Sequence, residues 1–428
     1  MLNRTLPPSS PPLQRFSLPS FEKYFLTNGI PVYFISHGDL PLVAVKAIYN
    51  SGSAYQDEVG IASFSTKMMM EGTKAYNSVS LAKKLDETGA WLYPEIDDEY
   101  IAVNLSTVSS HLEEALPLMA SVMLDPTFPE QEFEQLIIRE MARLKVESAK
   151  TRFQARKAFD KLLFGAGHPY ADFLDLSELG NISLPTIKAF YQEHMASGTF
   201  SLIVVGKLDP SRLLSLLEDQ FGHLPPFQPN TRFSKAKEAV VKTSGGRHHV
   251  HLEGSQATIR LGHLAFARSH EDFHPMQIVN TALGGYFGSR LMKSIREEKG
   301  YTYGIYSAWS CYRYHGAFFI QSDIGKEYIQ DAIDCIKQEI RKLAEQGVSD
   351  KEMDLIRNYL LGTSINRRET PFQIADILTY SIANEISFEE MDRKFEVLEN
   401  ITAREIGEYA EKYFHPDNWL EVIAGPEF

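Results

Sequence analysis

The sequence predicts an α+β protein of two homologous domains, each a mainly antiparallel β-sheet with helices packed on one side. The first observation is length, since 428 residues exceed what one hydrophobic core usually organises. The second is that apolar runs typical of strands alternate with runs of helical spacing. The third is an internal repeat, in which the spacing from Ile187 to Ile406 equals the spacing from Gly206 to Gly425. Because a helix motif and the strand motif that follows it recur at the same spacing in the sequence, the chain is predicted to contain two copies of one domain.

The first predicted domain spans residues 21–224 and follows an extended arm over residues 1–20, which is rich in proline. The pair Asn28-Gly29 marks a hairpin turn between two strands, and Gly89 ends a helix. The predicted elements of this half are two strands over 25–34, a strand over 42–49, helices over 60–73 and 80–88, two strands over 91–107, and helices over 111–124 and 132–146.

A linker is predicted over residues 225–246, where Pro, Ser, Lys and Gly are frequent. The second predicted domain spans residues 247–428. It opens with two segments of strand character, over 248–252 and 257–265.

The segment Gly284–Ser307 predicts a helix, a tight glycine turn and a strand. Ser289 suits the N-cap of the helix, and Gly300 suits the position just past its C-terminus. Residues 301–307 are rich in β-branched and aromatic types, which is typical of a strand.

This arrangement places Arg296, in the last turn of the helix, near Tyr303 on the strand. A guanidinium and a phenol that converge can both donate hydrogen bonds to one oxygen of a ligand. The alternative interpretation pairs Arg296 with a carboxylate such as Glu297 and packs Tyr303 into a core.

Composition excludes several classes of protein. A net charge of −13 argues against a nucleic-acid or anionic-membrane partner, and no apolar run approaches the length of a membrane span. The only two cysteines, Cys311 and Cys335, exclude a disulfide framework and a multi-cysteine metal site. They fit a reducing compartment, so we expect a cytoplasmic protein.

Residues 289–307, SRLMKSIREEKGYTYGIYS, resemble the C-terminal-half signature of the pitrilysin/insulinase (M16) metallopeptidases, above all the two-domain kind related to mitochondrial processing peptidase. The resemblance implies that the chain forms a half-shell, that two half-shells enclose a peptide chamber, and that an open sheet edge receives a peptide by strand addition. It also implies that Arg296 and Tyr303 bind the substrate carbonyl beside a metal held by another domain.

The zinc motif of the family is His-x-x-Glu-His on a helix, in which two histidines bind the metal and the glutamate activates water. Aligned on the flanking residues, these positions are Ser63, Thr66 and Lys67 here, so all three chemical groups are replaced. By resemblance, Glu140 occupies the position of the third ligand, and we expect it to pair with Lys67 instead. The resemblance therefore implies no metal and no cofactor in this chain.

Other candidate sites are weaker. His168 precedes a proline, which is more typical of a turn residue than of a metal ligand. His249 and His251 share one strand face, but a solvated or interface edge is the favoured interpretation. The glycines of residues 284–288 lack the Lys-Ser/Thr that would make a phosphate loop specific.

Two functional interpretations follow. In the first, the chain is a non-catalytic subunit of an M16-type peptidase that supplies Arg296 and Tyr303 to a zinc-bearing partner, which holds the metal and cleaves peptides. In the second, it is a structural or peptide-binding scaffold without a role in chemistry. The expected partners are a zinc-bearing homologue or a second copy of this chain, together with peptide substrates. Retention of the Arg/Tyr pair beside a lost zinc motif favours the first interpretation.

Overall fold

The computed structural model describes residues 19–196, 199–229 and 234–428. The predicted α+β class with two related domains is confirmed. The arm predicted over residues 1–20 falls almost entirely outside the described residues. The exact domain and linker boundaries stay predictions.

The first sheet has six strands in the order β1-β2-β6-β3-β5-β4. All neighbouring strands are antiparallel except β2 and β6, which are parallel. Gly29, with a φ of 87°, allows the tight turn between β1 and β2. The strands are β1 Glu22–Phe25, β2 Pro31–Ile35, β3 Leu42–Tyr49, β4 Trp91–Ile96, β5 Ile101–Val108 and β6 Phe200–Gly206.

A layer of helices covers one face of this sheet. Apolar residues at alternate positions of β3, such as Val43 and Val45, point into this layer and meet Phe64 and Met119 from its helices. The helices of this half are α1 Ile61–Met68, α2 Ser78–Thr88, α3 Leu112–Leu124, α4 Glu130–Ser148, α5 Thr151–Phe164, α6 Leu184–His194 and α7 Pro210–Phe221.

The second sheet repeats the first. Its five strands have the order β7-β11-β8-β10-β9, with β7 and β11 parallel and the other neighbours antiparallel. The first sheet has the same order once its additional edge strand β1 is set aside. The strands are β7 Gly246–His251, β8 Gln256–Ala265, β9 Ile305–Cys311, β10 Gly316–Gly325 and β11 Leu420–Gly425.

Helices repeat at the same offset as the sequence motif. The helix before the last strand of each half is α6 in the first half and α14 in the second. The first and last residues of α14 follow those of α6 by the same number of residues that separates Ile187 from Ile406. The helices of the second half are α8 Lys235–Glu238, α9 Phe273–Asn280, α10 Ile329–Gln346, α11 Asp350–Asn366, α12 Pro371–Ala383, α13 Phe388–Asn400 and α14 Ala403–Tyr413.

Each sheet is covered on its other face by a helix from the opposite half, which the sequence did not predict. Helix α5 of the first half packs Phe159 and Leu163 against Val422 of the second sheet. Helix α12 of the second half packs Leu378 against Ile48 of the first sheet. The last residues of α5 and α12 are as far apart in sequence as Ile187 and Ile406. The exchange of these two helices is therefore part of the internal repeat. Within the described residues, no helix is both long and apolar enough to cross a membrane.

Candidate functional site

Lys67 and Glu140 form an ion pair between two neighbouring helices. Lys67 lies in the last turn of α1, and Glu140 lies in the middle of α4. The Lys67 Nζ donates to Glu140 Oε1 at 2.6 Å, which is the pairing expected from the sequence. The two positions that the family resemblance assigns to metal ligands therefore lie next to each other.

Glu140 is held by two cations and is largely buried. Its other carboxylate oxygen, Oε2, accepts a hydrogen bond from Arg143 Nε at 2.7 Å, and its side chain is 9% exposed. Burial alone would raise the pKa of the Glu140 carboxyl, but the hydrogen bonds from Lys67 and Arg143 outweigh it and hold the pKa below its ordinary value. The carboxylate is thus charged and neutralised without a metal.

The side chains at the zinc-motif positions do not fit a zinc ion. Ser63 offers only a hydroxyl, and the Thr66 Oγ1 donates back to the Ala62 carbonyl at 2.7 Å. Lys67 contributes a positive charge, which would repel a cation. Among the described residues, no group of three or more His, Cys, Asp or Glu side chains could hold a metal ion. Whether the purified chain carries zinc stays a prediction.

Arg296 lies in a helix that is wider than predicted. Residues Met292–Glu298 form a π-helix, and the Tyr301 N–H reaches back six residues to the Ile295 carbonyl. Gly300, with a φ of 68°, ends this helix as expected. Ser289 precedes the first helical residue, and its carbonyl accepts the Lys293 N–H at 3.1 Å. Its hydroxyl does not cap the helix, because it finds no hydrogen-bond partner among the described residues.

The guanidinium of Arg296 lies over an aromatic ring and not beside Glu297. Its Cζ is 4.7 Å from the ring centroid of Phe287, whose side chain is 63% exposed. A cation over an exposed ring keeps its outward N–H groups available to a ligand.

Tyr303 lies in a loop, so its expected place on a strand is wrong. Pairing between β9 and β10 ends at Ile305. Before that residue, the Thr302 Oγ1 makes hydrogen bonds to the carbonyls of Gly304 and Asp323, at 3.0 and 2.8 Å. Side-chain bonds of this kind compete with strand pairing. The Tyr303 side chain is 92% exposed, which also excludes the interpretation that it packs into a core.

The other sequence candidates have structural places. His168 caps the short helix Pro169–Ala171 through Nδ1, as a turn residue would, and burial lowers its pKa to about 4. His249 and His251 are exposed on the edge strand β7. The glycine at 284 serves packing, because a Cβ there would lie 2.6 Å from the Ser307 Oγ.

Sequence reasoning missed two residues next to the candidates. Arg143 is three positions after Glu140 on α4, and that spacing alone predicts a pair on one helix face. Phe287 has no comparable signal, because its contact with Arg296 depends on how residues 285–291 turn between two helical segments.

Two family models match the chain, and both belong to one peptidase family. The model described as "Insulinase (Peptidase family M16)" matches residues 40–161. The model described as "Peptidase M16 inactive domain" matches residues 181–360. The first match contains Lys67 and Glu140, and the second contains Arg296 and Tyr303.

Bacterial proteins are similar over most of the length. "Uncharacterized zinc protease YmxG" of Bacillus subtilis is 23% identical over 350 residues, which cover 80% of this chain and 83% of that protein. "Non-peptidase homolog YmxG" of Helicobacter pylori is 22% identical over 351 residues, covering 80% and 79%. "Probable inactive metalloprotease YmfF" of Bacillus subtilis is 21% identical over 318 residues, covering 70% and 71%.

Solved structures share the complete fold. A peptidase M16 inactive domain from Pseudomonas fluorescens superposes with a TM-score of 0.85 at 22% identity, covering 95% of this chain and 98% of that one. A protease from Helicobacter pylori superposes with a TM-score of 0.84 at 18% identity, covering 96% and 100%. The chain therefore belongs to the M16 (insulinase) family, as a member in which the zinc-binding motif is replaced.

Proposed function

We propose that this chain is the zinc-less subunit of an M16-type peptidase and supplies Arg296 and Tyr303 to a zinc-bearing partner. The observation that carries the proposal is Tyr303, which is 92% exposed on a loop fixed by Thr302. Exposed tyrosines often mark a contact with another molecule, since the ring is apolar and the hydroxyl can donate.

The chemistry of the pair suits peptide hydrolysis. As water attacks a peptide bond, the carbonyl oxygen gains negative charge. Arg296 would contribute a fixed positive charge to that oxygen, and Tyr303 would contribute a neutral hydrogen-bond donor. One preorganised donor of this kind is commonly worth about 10²–10³ in rate.

A zinc-bearing homologue is the partner that this division of labour requires. Lys67 and Glu140, which the family resemblance assigns to metal-ligand positions, are bonded to each other, so zinc and the water-activating carboxylate would come from the other subunit. Relatives named as a non-peptidase homologue and as a probable inactive metalloprotease support a subunit of this type. The proposed cytoplasmic location is supported by Cys311 and Cys335, both free thiols.

The test is peptide turnover by a mixed complex of this chain and a zinc-bearing M16 homologue. We expect Tyr303→Phe or Arg296→Lys to lower kcat by at least about tenfold while the complex still forms on a sizing column. Tyr328→Phe is a matched control, because Tyr328 is also exposed and stacks on Tyr301 through its ring.

The double variant Arg296→Ala, Tyr303→Phe decides between the two functions. Full activity of its mixed complex would reject the supply of these residues to the partner and leave the scaffold function. A companion measurement is metal analysis of the pure chain, which we expect to find without stoichiometric zinc and without chelator-sensitive peptidase activity.

A further inference from the structure

A cavity of about 970 Å³ lies on the second sheet beside the start of the crossing helix α5. Its floor comes from three neighbouring strands. Arg260 of β8 lies opposite Gln321 of β10, which in turn lies opposite Tyr306 of β9. Alternate residues of a strand share a face, so these three side chains stand in a row across the sheet.

Arg260 is a buried cation whose hydrogen bonds are incomplete. It is 5% exposed, and its guanidinium stacks on Phe319 at 3.6 Å from the ring centroid. One terminal nitrogen donates to Gln321 Oε1 at 2.6 Å, and another lies 3.7 Å from Asp160 Oδ1. The Nε finds no acceptor among the described residues. A buried charged donor without a partner is costly unless a ligand completes it.

Cations outnumber carboxylates among the side chains that line the cavity. Lys150 pairs with Glu147, and Arg152 pairs with Asp323, each at 2.5 Å. The remaining two cations, Arg156 and Arg260, share one carboxylate. That carboxylate is Asp160, which lies 3.4 Å from Arg156 Nε. Burial raises the pKa of the Asp98 carboxyl, and Arg156 acts on the same group in the opposite direction, so the incomplete cation of this cavity is Arg260.

The first half provides an internal comparison. Lys46 lies opposite Ile203 in the first sheet, and Arg260 lies opposite Val422 in the second. Ile203 and Val422 are separated by the offset of the repeat, so Lys46 is the counterpart of Arg260. Lys46 has a carboxylate of its own on the crossing helix α12, Asp376, and a second carboxylate, Glu95, at 3.8 Å.

The second half lacks the counterpart of Glu95. In the first sheet, Glu95 of β4 lies opposite Ala102. The equivalent pair in the second sheet is Ala308 of β9 opposite Phe319 of β10. The repeat therefore supplies two carboxylates to Lys46 in the first half. Among the described residues, Arg260 in the second half has one ion-pair carboxylate, Asp160, which it shares with Arg156.

We propose that this cavity binds a peptide segment through a carboxylate that completes Arg260, with an apolar or aromatic neighbour of that carboxylate against Tyr306, Tyr312 and Phe319. The incomplete hydrogen bonds of the Arg260 guanidinium suit an anionic acceptor, and the planar fork of arginine matches a carboxylate. Aromatic lining suits an adjacent apolar side chain. The proposal rests on the peptide-handling role proposed above and adds the chemical class of the peptide.

The first experiment measures binding of labelled peptides to the complete chain without a partner, by fluorescence anisotropy. The probe is a short Gly/Ser peptide with one Glu-Phe pair, compared with its Gln-Phe counterpart, each with a free or an amidated C-terminus. We expect at least about tenfold tighter binding where a carboxylate is present. The four peptides distinguish a side-chain carboxylate from a terminal one. Equal affinity for all four would overturn the proposal.

The second experiment introduces a carboxylate into the protein itself as a partner for Arg260. Ala308→Glu places an acidic group where the first half has Glu95, and we expect it to weaken peptide binding about tenfold or more. Ala308→Gln has nearly the same size without the charge, so it should keep most of the affinity. Thermal melting of both variants checks that the fold is intact. An unchanged affinity of Ala308→Glu, or an equal loss in both variants, contradicts the proposal.

Both experiments use this chain without a partner, so a failure of the trans-catalytic proposal leaves their results intact. One further measurement separates a peptide carboxylate from other anions. Inorganic phosphate should not displace the peptide at equal concentration. Displacement would indicate a general anion site and overturn the assignment to a peptide carboxylate.

Discussion

At the scale of single residues, Lys67 pairs with Glu140 at positions that the family resemblance assigns to metal ligands. Its ammonium reaches Glu140 at 2.6 Å and neutralises the carboxylate that Arg143 also holds. The family resemblance predicted this pairing, because it assigns Lys67 and Glu140 to two ligand positions of one metal site. It could not predict that Arg296 lies over Phe287, because that contact depends on the path of the backbone between them.

We expect Lys67→Met to destabilise the chain by about 1 kcal/mol at neutral pH, between the values for exposed and buried pairs. The folded-state pKa of Glu140 lies below its ordinary value, so the contribution of the pair is fully present above the unfolded pKa. It is lost as the pH falls through the folded pKa. Urea unfolding at a series of pH values measures the difference.

Arg139→Met is the matched control for this variant. Arg139 lies on α4, as Glu140 does, and it forms an ion pair with Glu71. The Arg139 side chain is 53% exposed. Its loss should cost at most about 0.5 kcal/mol. A deficit of Lys67→Met that stays constant down to strongly acidic pH would refute the role given to Glu140.

At the scale of elements, the sequence predicted most strands and the helices over residues 60–146, but it did not predict α7 to α13, strand β10 or the conformation around Arg296. Over one turn, the apolar spacing of an α-helix and a π-helix is too similar to separate them, and Met292–Glu298 is only seven residues long. The predicted strand began four residues early because Tyr301 and Tyr303 suit a strand, whereas Thr302 takes the backbone acceptors at the end of the ladder.

Sequence reasoning also could not predict which sheet each crossing helix packs against. Apolar positions on α5 and α12 indicate that both helices bury a face. They do not specify which sheet receives it, because both sheets offer apolar side chains of similar size.

We expect Leu163→Ala in α5 and Leu378→Ala in α12 each to cost about 2–5 kcal/mol of the free energy of unfolding. Both side chains are fully buried on the sheet of the opposite half. Leu355→Ala is the control, since that leucine on α11 is 48% exposed and should change stability by about 0.5 kcal/mol or less. Urea unfolding compares the three. Equal, small effects of all three variants would show that the crossing helices contribute little.

At the scale of the whole molecule, several large apolar side chains are exposed on the surface. Ile138 and Val146 on α4 are 58% and 62% exposed, and Phe287 and Trp91 are also largely exposed. We expect light scattering at micromolar concentration to find this chain in a complex with its zinc-bearing homologue, or as a dimer when alone. A monomer under both conditions would contradict this prediction and the half-shell arrangement behind it.

The exchange of α5 and α12 should also hold the two halves together after the backbone between them is cut. If a protease site inserted after Gln228 were cut, each fragment would still hold the other by a buried helix. We expect the nicked molecule to elute as one species in native buffer and to separate only when it is denatured. A single repeat could cover both faces of its sheet only by exchanging its crossing helix with that of a second copy. The shortest chain that completes this architecture unaided therefore contains both halves.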